Sequence, residues 1–247
     1  MKLMETLLVG GLKMPGVGAL LRPLLLGLHR LMVGAMKRAD RHWVRPRNWS
    51  NAELRQFGRL FTGDILNVSG WRDEDKNGGH YRDYFPAARS YSISNYSGEC
   101  GVSGVEGEVF LDLENPLPPQ LHRKYQVVLN HTTVEHVYDI RTAIANLCAL
   151  SDDVVILVTP FLQQVHWIDG SFGDWWRPTP MCLNRLLAEQ GFEVHYQSAN
   201  DNPWYIVYVF TVARRTPVPT MPRLPASGVL AGNVGETHFG IQGKDAQ

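Results

Sequence analysis

The chain has 247 residues, 44% of them hydrophobic, which is enough to bury one substantial core, so one folded domain with extensions is expected. Residues 1–45 hold eight Lys/Arg and two acidic residues (net +6), whereas the remainder holds 16 basic and 22 acidic residues (net −6). A net acidic domain argues against nucleic-acid binding. The three cysteines are widely spaced and form no zinc-ligand pattern, which indicates reduced thiols in a cytoplasmic protein.

Residues 1–45 are apolar but repeatedly interrupted by Lys and Arg. No uncharged apolar run approaches the roughly 18 to 20 residues that a membrane-spanning helix needs, and Pro15 and Pro23 are expected to interrupt the segment further. The pattern predicts one or two amphipathic helices with Leu and Met on one side and basic residues on the other. Such a helix can lie on an anionic membrane surface. Alternatively, its apolar side packs on the domain or on a second copy of the chain in a homodimer.

Residues 46–213 alternate short apolar runs with helical periodicity, the pattern of an α/β domain. Strands are predicted at Ile65–Ser69, Tyr91–Ser94, Val109–Leu113, Val127–Leu129, Val154–Val158, Phe192–Tyr196 and Tyr205–Val212. Ser50 with Glu53 is a capping box and predicts a helix that starts at Ser50. Helical spacing predicts a crossover helix over Ile140–Leu150, and Thr179 followed by Pro180 predicts the start of another helix.

The carboxyl ends of the predicted strands are the expected place for a ligand. In an open α/β sheet ligands bind at that edge, so the chemistry should gather around residues 130–136 and 159–177. Pro160 is expected to stop the fifth strand there. Beyond the domain, residues 214–247 are rich in Pro and Gly and are expected to be extended or partly disordered.

Two motifs about 40 residues apart carry a family resemblance: Val134-Glu135-His136-Val137 and Asp174-Trp175-Trp176-Arg177-Pro178-Thr179-Pro180. Together with the strand between them, they resemble the second half of a class I S-adenosylmethionine-dependent methyltransferase, in particular the small bacterial type found near polysaccharide and glycan biosynthesis. The resemblance implies an α/β fold with a doubly wound, seven-stranded, mostly parallel Rossmann-like sheet. It also implies S-adenosylmethionine as the cofactor.

The loop after the first strand departs from this family. The family has an acidic residue, one spacer and Gly-x-Gly-x-Gly, which lets the backbone approach the cofactor closely. This chain has Asn67 at the acidic position, and the glycine positions hold Ser69, Trp71 and Asp73. Only the neighbouring Gly70 is small, so the glycine loop is degenerate.

Other cofactor positions follow from the same resemblance. Asn95 stands where the family places its ribose-binding acid, and it can hydrogen-bond a diol or simply belong to a polar turn. Asp112 and Leu113 match the residues that contact the adenine ring. The expected cofactor-binding residues are Asn67, Ser69, Gly70, Asn95, Asp112, Leu113, Asn130 and His131.

Methyl transfer to a hydroxyl group needs a base close to the acceptor oxygen, so the candidate bases are polar residues at the carboxyl edge of the sheet. These candidate catalytic residues are His166, His131, Glu135 and His136. Glu135 and His136 could instead cap or orient the crossover helix. Relatives that hold a metal here have a further acid where this chain has Thr132, so no metal site is expected.

The aromatic loop suits a carbohydrate acceptor, because aromatic faces stack on sugar rings and carboxylates bind hydroxyl groups. The expected substrate-binding residues are Trp167, Asp169, Asp174, Trp175, Trp176 and Arg177. Alternatively, some of these tryptophans are core anchors, and Arg177 pairs with Asp174.

The sequence therefore favours a methyltransferase that acts on a glycan or lipid-linked sugar hydroxyl, held at the cytoplasmic face of the inner membrane by residues 1–45. Because the glycine loop is degenerate, a second hypothesis is a methyltransferase-like pseudoenzyme that serves as a binding or scaffold subunit of a membrane-associated glycan assembly. A third hypothesis, a soluble enzyme for a small metabolite with a dimerising amino-terminal helix, leaves the basic side of that helix unexplained.

Overall fold

The computed structural model describes residues 16–39, 46–96, 107–163, 165–169, 172–200 and 207–215. Contacts between residues divide the chain into two compact units, residues 1–44 and residues 45–247. The expected tail from residue 216 onward, most of the turn predicted before the last strand, and Cys100 lie outside the described residues.

The first unit contains one described helix, α1 (Val17–Ala39). Its exposed large apolar side chains are Leu20, Leu24, Leu26, Leu28, Leu31 and Met32. Pro23 lies inside the helix, so the prediction that it interrupts the segment is wrong. Val17–Ala35 is long and apolar enough to cross a membrane by length and composition alone. The Lys and Arg residues that interrupt the apolar segment had argued against a membrane-spanning helix. The criterion of length and composition is weak, because signal sequences and core helices of soluble proteins also meet it.

The second unit is built on one seven-stranded sheet. Its strands are β1 (Asp64–Val68), β2 (Ser90–Asn95), β3 (Glu108–Phe110), β4 (Tyr125–His131), β5 (Ser151–Leu162), β6 (Glu193–Ala199) and β7 (Val207–Arg214). Their order in space is β3-β2-β1-β4-β5-β7-β6, and β7 runs antiparallel to its neighbours β5 and β6. The prediction of a doubly wound, mostly parallel sheet is confirmed. Because the strand order reverses between β1 and β4, their carboxyl ends border the crevice where ligands bind in such folds.

Helices α2 (Pro46–Gly58), α3 (Ile140–Leu150) and α4 (Pro180–Glu189) cover the sheet. Helices α3 and α4 bury Leu147 and Leu183 in one hydrophobic core. Helix α2 buries Leu54 in a second core on the other face, against Phe210 of β7. The central strands read as continuous apolar runs because both of their faces are covered.

Helix α2 begins at Pro46, before the predicted start at Ser50. Ser50 is buried inside the helix, where its Oγ donates to the Arg47 carbonyl (3.1 Å) and contacts the His131 ring (2.9 Å). Glu53 accepts hydrogen bonds from two hydroxyl groups of β6. The capping-box prediction is therefore wrong, because contacts distant in sequence use both side chains.

Side-chain caps mark the starts of the other two helices. The Thr179 side chain accepts a hydrogen bond from the Cys182 N–H (3.1 Å), which confirms the predicted start of α4. The predicted bounds of α3 are also confirmed. Its cap is Asp139, which accepts from the Thr142 N–H (3.1 Å), so neither Glu135 nor His136 caps this helix.

Two strand ends differ from the predictions. Strand β5 continues through Pro160 to Leu162, with Pro160 opposite Tyr208 at a register shift in the pairing with β7. Such an irregularity accommodates a proline, which has no N–H for the ladder. Strand β3 is shorter than predicted, so Asp112 and Leu113 lie in the loop that follows it.

Candidate functional site

The loop after β1 is held together by a buried carboxylate. Asp73 is 2% exposed. Its Oδ1 accepts hydrogen bonds from Asn67 Nδ2 (3.0 Å) and the Tyr91 hydroxyl (2.6 Å). Its Oδ2 accepts a hydrogen bond from the Arg82 main-chain N–H (3.0 Å). Asn67 and Asp73 both stand where this chain departs from the family pattern, and their side chains are hydrogen-bonded to each other.

The same loop bends where the family has glycine. Ser69, Trp71 and Asp73 have φ values of 57°, 47° and 62°, in the left-handed region that glycine adopts most readily. The surrounding hydrogen bonds hold these residues in that conformation. Gly70 is required for a different reason, because a Cβ there would lie 2.8 Å from Asn67 Nδ2.

Asn95, at the expected ribose position, is buried and already engaged. Its Oδ1 accepts from the Trp71 main-chain N–H (2.7 Å). Its Nδ2 donates to the Trp71 carbonyl (3.1 Å) and to Glu108 Oε1 (2.6 Å). Both hydrogens of Nδ2 are therefore used, so a ribose oxygen could accept from Asn95 only by displacing the Trp71 carbonyl or Glu108, whereas the second lone pair of Oδ1 can still accept from a ribose hydroxyl. In this conformation Asn95 can accept one hydrogen bond from a ribose but has no hydrogen left to donate to it.

The adenine end of the expected site fits better. Asp112 accepts hydrogen bonds from the Glu114 N–H (2.9 Å) and from Asn115 Nδ2 (2.7 Å). A carboxylate has further lone pairs, so it can still accept from an exocyclic amino group. The Leu113 side chain is buried in the core, so this residue can reach a ligand only through its main chain.

An aromatic pair that the sequence analysis did not single out lies beside this end. Tyr96 follows β2, Phe110 ends β3, and both rings are more than half exposed, with centroids 5.9 Å apart. Exposed ring faces of this kind can stack on a planar base. The signal in the sequence is an aromatic residue at the carboxyl end of each of two adjacent strands.

Three buried side chains near the carboxyl ends of β2, β4 and β5 each have an oxygen with no hydrogen-bond partner among the described residues: Ser94 Oγ, Asn130 Oδ1 and Thr159 Oγ1. The Asn130 amide also donates to the Val68 carbonyl (3.2 Å), which places it beside the end of β1. Buried polar atoms are normally paired. A ligand with polar atoms at this edge would supply the missing partners.

His131 belongs to a separate buried cluster. Arg47 donates to His131 Nδ1 (3.2 Å) and to Thr132 Oγ1 (2.9 Å). Because a guanidinium only donates, Nδ1 accepts, and the ring proton lies on Nε2, which faces Ser50 Oγ (2.9 Å). Burial and then the charge of Arg47 lower the pKa of His131 well below its usual value. With both ring nitrogens engaged, this geometry favours a structural role.

The histidine best placed to act as a base is His166. Its Nδ1 lies 3.0 Å from Asp174 Oδ2, and Arg177 donates to both carboxylate oxygens of Asp174. Burial alone would raise the pKa of Asp174, but the hydrogen bonds from Arg177 and from the His166 main chain outweigh it and hold this pKa at about 2. Asp174 is therefore ionised and can only accept, so His166 Nδ1 carries a proton. In the neutral form of this half-exposed ring, Nε2 is then the nitrogen with the lone pair.

Glu135 and His136 lie beside this pair. Glu135 is 1% exposed, and its Oε1 is 3.8 Å from His136 Nε2. Its Oε2 has no hydrogen-bond partner in the part of the chain that the structure describes. Burial raises the pKa of Glu135 to about 8, and the nearby Asp174 carboxylate adds to the rise. Glu135 is thus mostly protonated at neutral pH. His136 donates from Nδ1 to the Gly173 carbonyl (2.7 Å), and its ring contacts His166, with centroids 4.9 Å apart.

The aromatic loop is anchored on the main chain of Glu135, whose carbonyl accepts from the N–H groups of Trp175 (2.8 Å) and Trp176 (3.2 Å). Trp167, Trp175 and Trp176 are 66%, 56% and 40% exposed, so none of them is a core anchor. Asp169 is also exposed. Arg177 forms an ion pair with Asp174, as the alternative interpretation of the loop predicts.

His136, His166 and Asp174 are also close enough to share a cation, with ligand atoms within 4.8 Å of one another. Two features oppose that use. Asp174 is ion-paired with Arg177, and His136 uses Nδ1 for the Gly173 carbonyl. The group is better suited to orienting a histidine for proton transfer than to holding a metal.

No protein-family model and no curated protein sequence matches the chain. Solved structures do resemble it. A protein described as a methyltransferase from Bacillus halodurans C-125 has 14% identity and a TM-score of 0.50, over 68% of this chain and 99% of that one. The 1,6-didemethyltoxoflavin-N1-methyltransferase of Burkholderia thailandensis, with bound S-adenosylhomocysteine, has 13% identity and a TM-score of 0.47, over 79% of this chain and 90% of that one. A protein described as an S-adenosylmethionine-dependent methyltransferase from Listeria monocytogenes has 9% identity and a TM-score of 0.48, over 68% of this chain and 99% of that one.

At 14% identity, the similarity to the Bacillus protein shows a shared fold and does not by itself show a shared activity. It covers almost the whole length of the Bacillus protein, and the sheet order observed here belongs to the same architecture. The chain therefore has the fold of the class I methyltransferases.

Proposed function

We propose that the protein is an S-adenosylmethionine-dependent methyltransferase that acts on a hydroxyl group of a carbohydrate. The observation that carries this proposal is the His166–Asp174 pair, which lies in the segment after β5, at the carboxyl edge of a methyltransferase fold. S-adenosylmethionine, when bound, would supply an electrophilic methyl group. His166 Nε2 would take the proton from the attacking hydroxyl group, and Asp174 would hold the ring in the required tautomer.

Arg177 has a defined part in this arrangement. It keeps Asp174 ionised although the carboxylate is buried, and an ionised Asp174 is what keeps the ring proton on His166 Nδ1. Glu135, whose pKa is raised to about 8, is mostly protonated at pH 7 and so adds little negative charge beside it. Asp174 therefore orients His166 in the way that the acid of a catalytic triad orients its histidine. The carboxylate is buried, and the histidine ring is half-exposed.

For the cofactor, Asp112 is the residue that fits best, with Tyr96 and Phe110 flanking the adenine. Asn95 could accept from a ribose hydroxyl through Oδ1, but it could donate to one only after releasing Trp71 or Glu108. For the acceptor, the exposed tryptophans of the loop at residues 167–176 suit sugar rings. A glycan or lipid-linked sugar is the acceptor class that this chemistry supports.

A second candidate function is a binding module that has lost catalysis. The observation that favours it is the hydrogen bonding of Asn95, whose Nδ2 donates both of its hydrogens to the Trp71 carbonyl and Glu108, so neither is available to a ribose. Such a protein would bind the carbohydrate without binding S-adenosylmethionine.

Titration of the full chain with S-adenosylmethionine and S-adenosylhomocysteine separates the two. The methyltransferase proposal predicts micromolar binding, on the order of −8 kcal/mol. Asp112→Ala should weaken it about tenfold, since one hydrogen bond to a charged acceptor is lost. The control is Asp152→Ala, which removes an exposed carboxylate from the opposite edge of the sheet. No binding to folded protein would support the binding module, and equal affinity of the two variants would contradict the role of Asp112.

The amino-terminal helix is part of the proposal as a peripheral anchor on the cytoplasmic face of the membrane. Leu24 and Leu31 lie on one side of α1, and Arg22 and Arg30 lie on the other at 100° per residue. The full chain should float with vesicles of anionic lipid, and Leu24→Glu should reduce the floated fraction several-fold. The matched control, Ala19→Glu, adds the same charge on the basic side and should have a smaller effect. Equal flotation of both variants would contradict the anchor.

A further inference from the structure

A cavity of about 380 Å³ lies between the starts of α3 and α4, beside the aromatic loop. Tyr138 and Trp176 form its aromatic walls, and Ile140, Pro178 and Leu186 add apolar surface. Its volume falls within the range of small-molecule sites. The lining residues come from the segments that follow β4 and β5, so the cavity opens at the same edge of the sheet as His166.

The aromatic walls are fixed by hydrogen bonds and ring contacts. Trp176 Nε1 donates to the Val137 carbonyl (3.1 Å) and the Tyr138 carbonyl (3.0 Å), which sets the orientation of the indole. The Tyr138 ring meets Trp175 edge to face, with centroids 5.2 Å apart. Tyr138 is nevertheless 67% exposed and Trp176 is 40% exposed. A rigid, exposed group of aromatic rings beside a cavity is a surface that a ligand would cover.

The charges around the cavity argue against an anionic ligand. Both helix starts that border it are already capped, α3 by Asp139 and α4 by Thr179, so their first N–H groups are partly used. Asp139 itself lines the cavity and would repel a phosphate or carboxylate. The lining residue Arg141 is bound to Glu189 (3.1 Å). Arg177, which also lines the cavity, is bound to Asp174.

We propose that this cavity binds a neutral sugar residue of the acceptor, stacked between Tyr138 and Trp176 with its hydroxyl groups at the rim formed by Asp139 and Arg141. The inference rests on the proposed carbohydrate acceptor. Aromatic faces match the apolar side of a pyranose ring, and at the rim Asp139 can accept from hydroxyl groups while Arg141 can donate to them. Asp174 and Trp176 belong to the same short loop, so the cavity would hold a sugar adjacent to the one that presents its hydroxyl to His166.

The test uses the full chain and a printed array of neutral oligosaccharides and of oligosaccharides that carry uronate or phosphate. Retention of neutral glycans is expected, and the best soluble neutral ligand is then titrated by tryptophan fluorescence. Tyr138→Ala should weaken its binding at least tenfold, because one stacking face is lost. Met181→Ala is the matched control, since Met181 is 80% exposed in the first turn of α4 and does not line the cavity.

A second measurement blocks the cavity without changing the fold. Cys182 is exposed and lines the cavity, so alkylation with N-ethylmaleimide should reduce saccharide binding in the wild-type chain and leave Cys182→Ala unaffected. Absence of any neutral ligand, preference for the acidic glycans, or equal affinity of Tyr138→Ala and Met181→Ala would overturn the inference. The S-adenosylmethionine titration is independent: loss of cofactor binding with retained saccharide binding removes the methyltransferase proposal and leaves the sugar site standing.

Discussion

Asp174→Ala should lower the free energy of unfolding by roughly 2 to 4 kcal/mol, the largest stability loss expected from one side chain of the candidate site. Its carboxylate has no exposed surface, and it is bound by Arg177 and His166. Arg177 is only 20% exposed, so the substitution leaves a mostly buried guanidinium without its anion. Chemical denaturation at pH 7 measures the change.

A double-mutant cycle separates this ion pair from the role of Asp174 in orienting His166. Asp174→Ala and Arg177→Met are measured singly and together, and a coupling energy near zero would contradict the expected ion-pair contribution. Asp174→Asn keeps the shape and removes the charge. Once a methyl acceptor is identified, Asp174→Asn should reduce turnover by about 100-fold or more. Arg177→Met should reduce turnover by a smaller factor.

Glu135→Gln should stabilise the protein at alkaline pH. The folded-state pKa is raised to about 8 from an ordinary value of 4.5, so the folded protein keeps a proton that the unfolded chain has already lost between these two values. Stability contributed by Glu135 therefore falls as pH rises from about 4.5 to 8 and stays low above it. Gln, which is neutral throughout, does not incur this loss.

The expected gain for Glu135→Gln over wild type is roughly 3 to 5 kcal/mol at pH 9 and falls below about 1 kcal/mol at pH 5. Unfolding measured at intervals from pH 5 to pH 9 gives the difference directly. His131, whose folded-state pKa is lowered, has the opposite dependence near pH 6, but it is present in both proteins and cancels. A difference that does not change with pH would mean that Glu135 is ionised in the folded protein throughout.

The fold was largely predictable because it depends on local patterns. Apolar runs marked the strands, and the Thr179–Pro180 pair marked the start of α4, since both signals lie within a few residues. The capping box at Ser50 failed for the opposite reason. The hydroxyl group of Ser50 is engaged by His131, 81 residues away in sequence, and no local pattern can report such a contact.

The candidate site was predictable in part. Asp174 and Arg177 belong to the same sequence motif, which predicted either that both bind the substrate or that they pair with each other, and they form an ion pair. The roles of its histidines depend on tertiary contacts: His131 is occupied by Arg47 and Ser50, whereas His166 is oriented by Asp174. The catalytic and structural roles of these candidate bases can thus be told apart only when their hydrogen-bond partners are known.

The pairing of Asn95 with Trp71 has a thermodynamic consequence for a nucleoside ligand. Asn95 Nδ2 has two hydrogens and cannot donate to the Trp71 carbonyl, Glu108 and a ribose together, so a ligand that needs this donor selects a loop conformation in which Asn95 and Trp71 have separated. The measured Kd is then the intrinsic Kd divided by the fraction of molecules with an open loop. If about 1% of molecules are open, the measured affinity is about 100-fold weaker than the contacts themselves would provide. In such a protein, loop sequence adjusts cofactor affinity without any change to the residues that touch the cofactor.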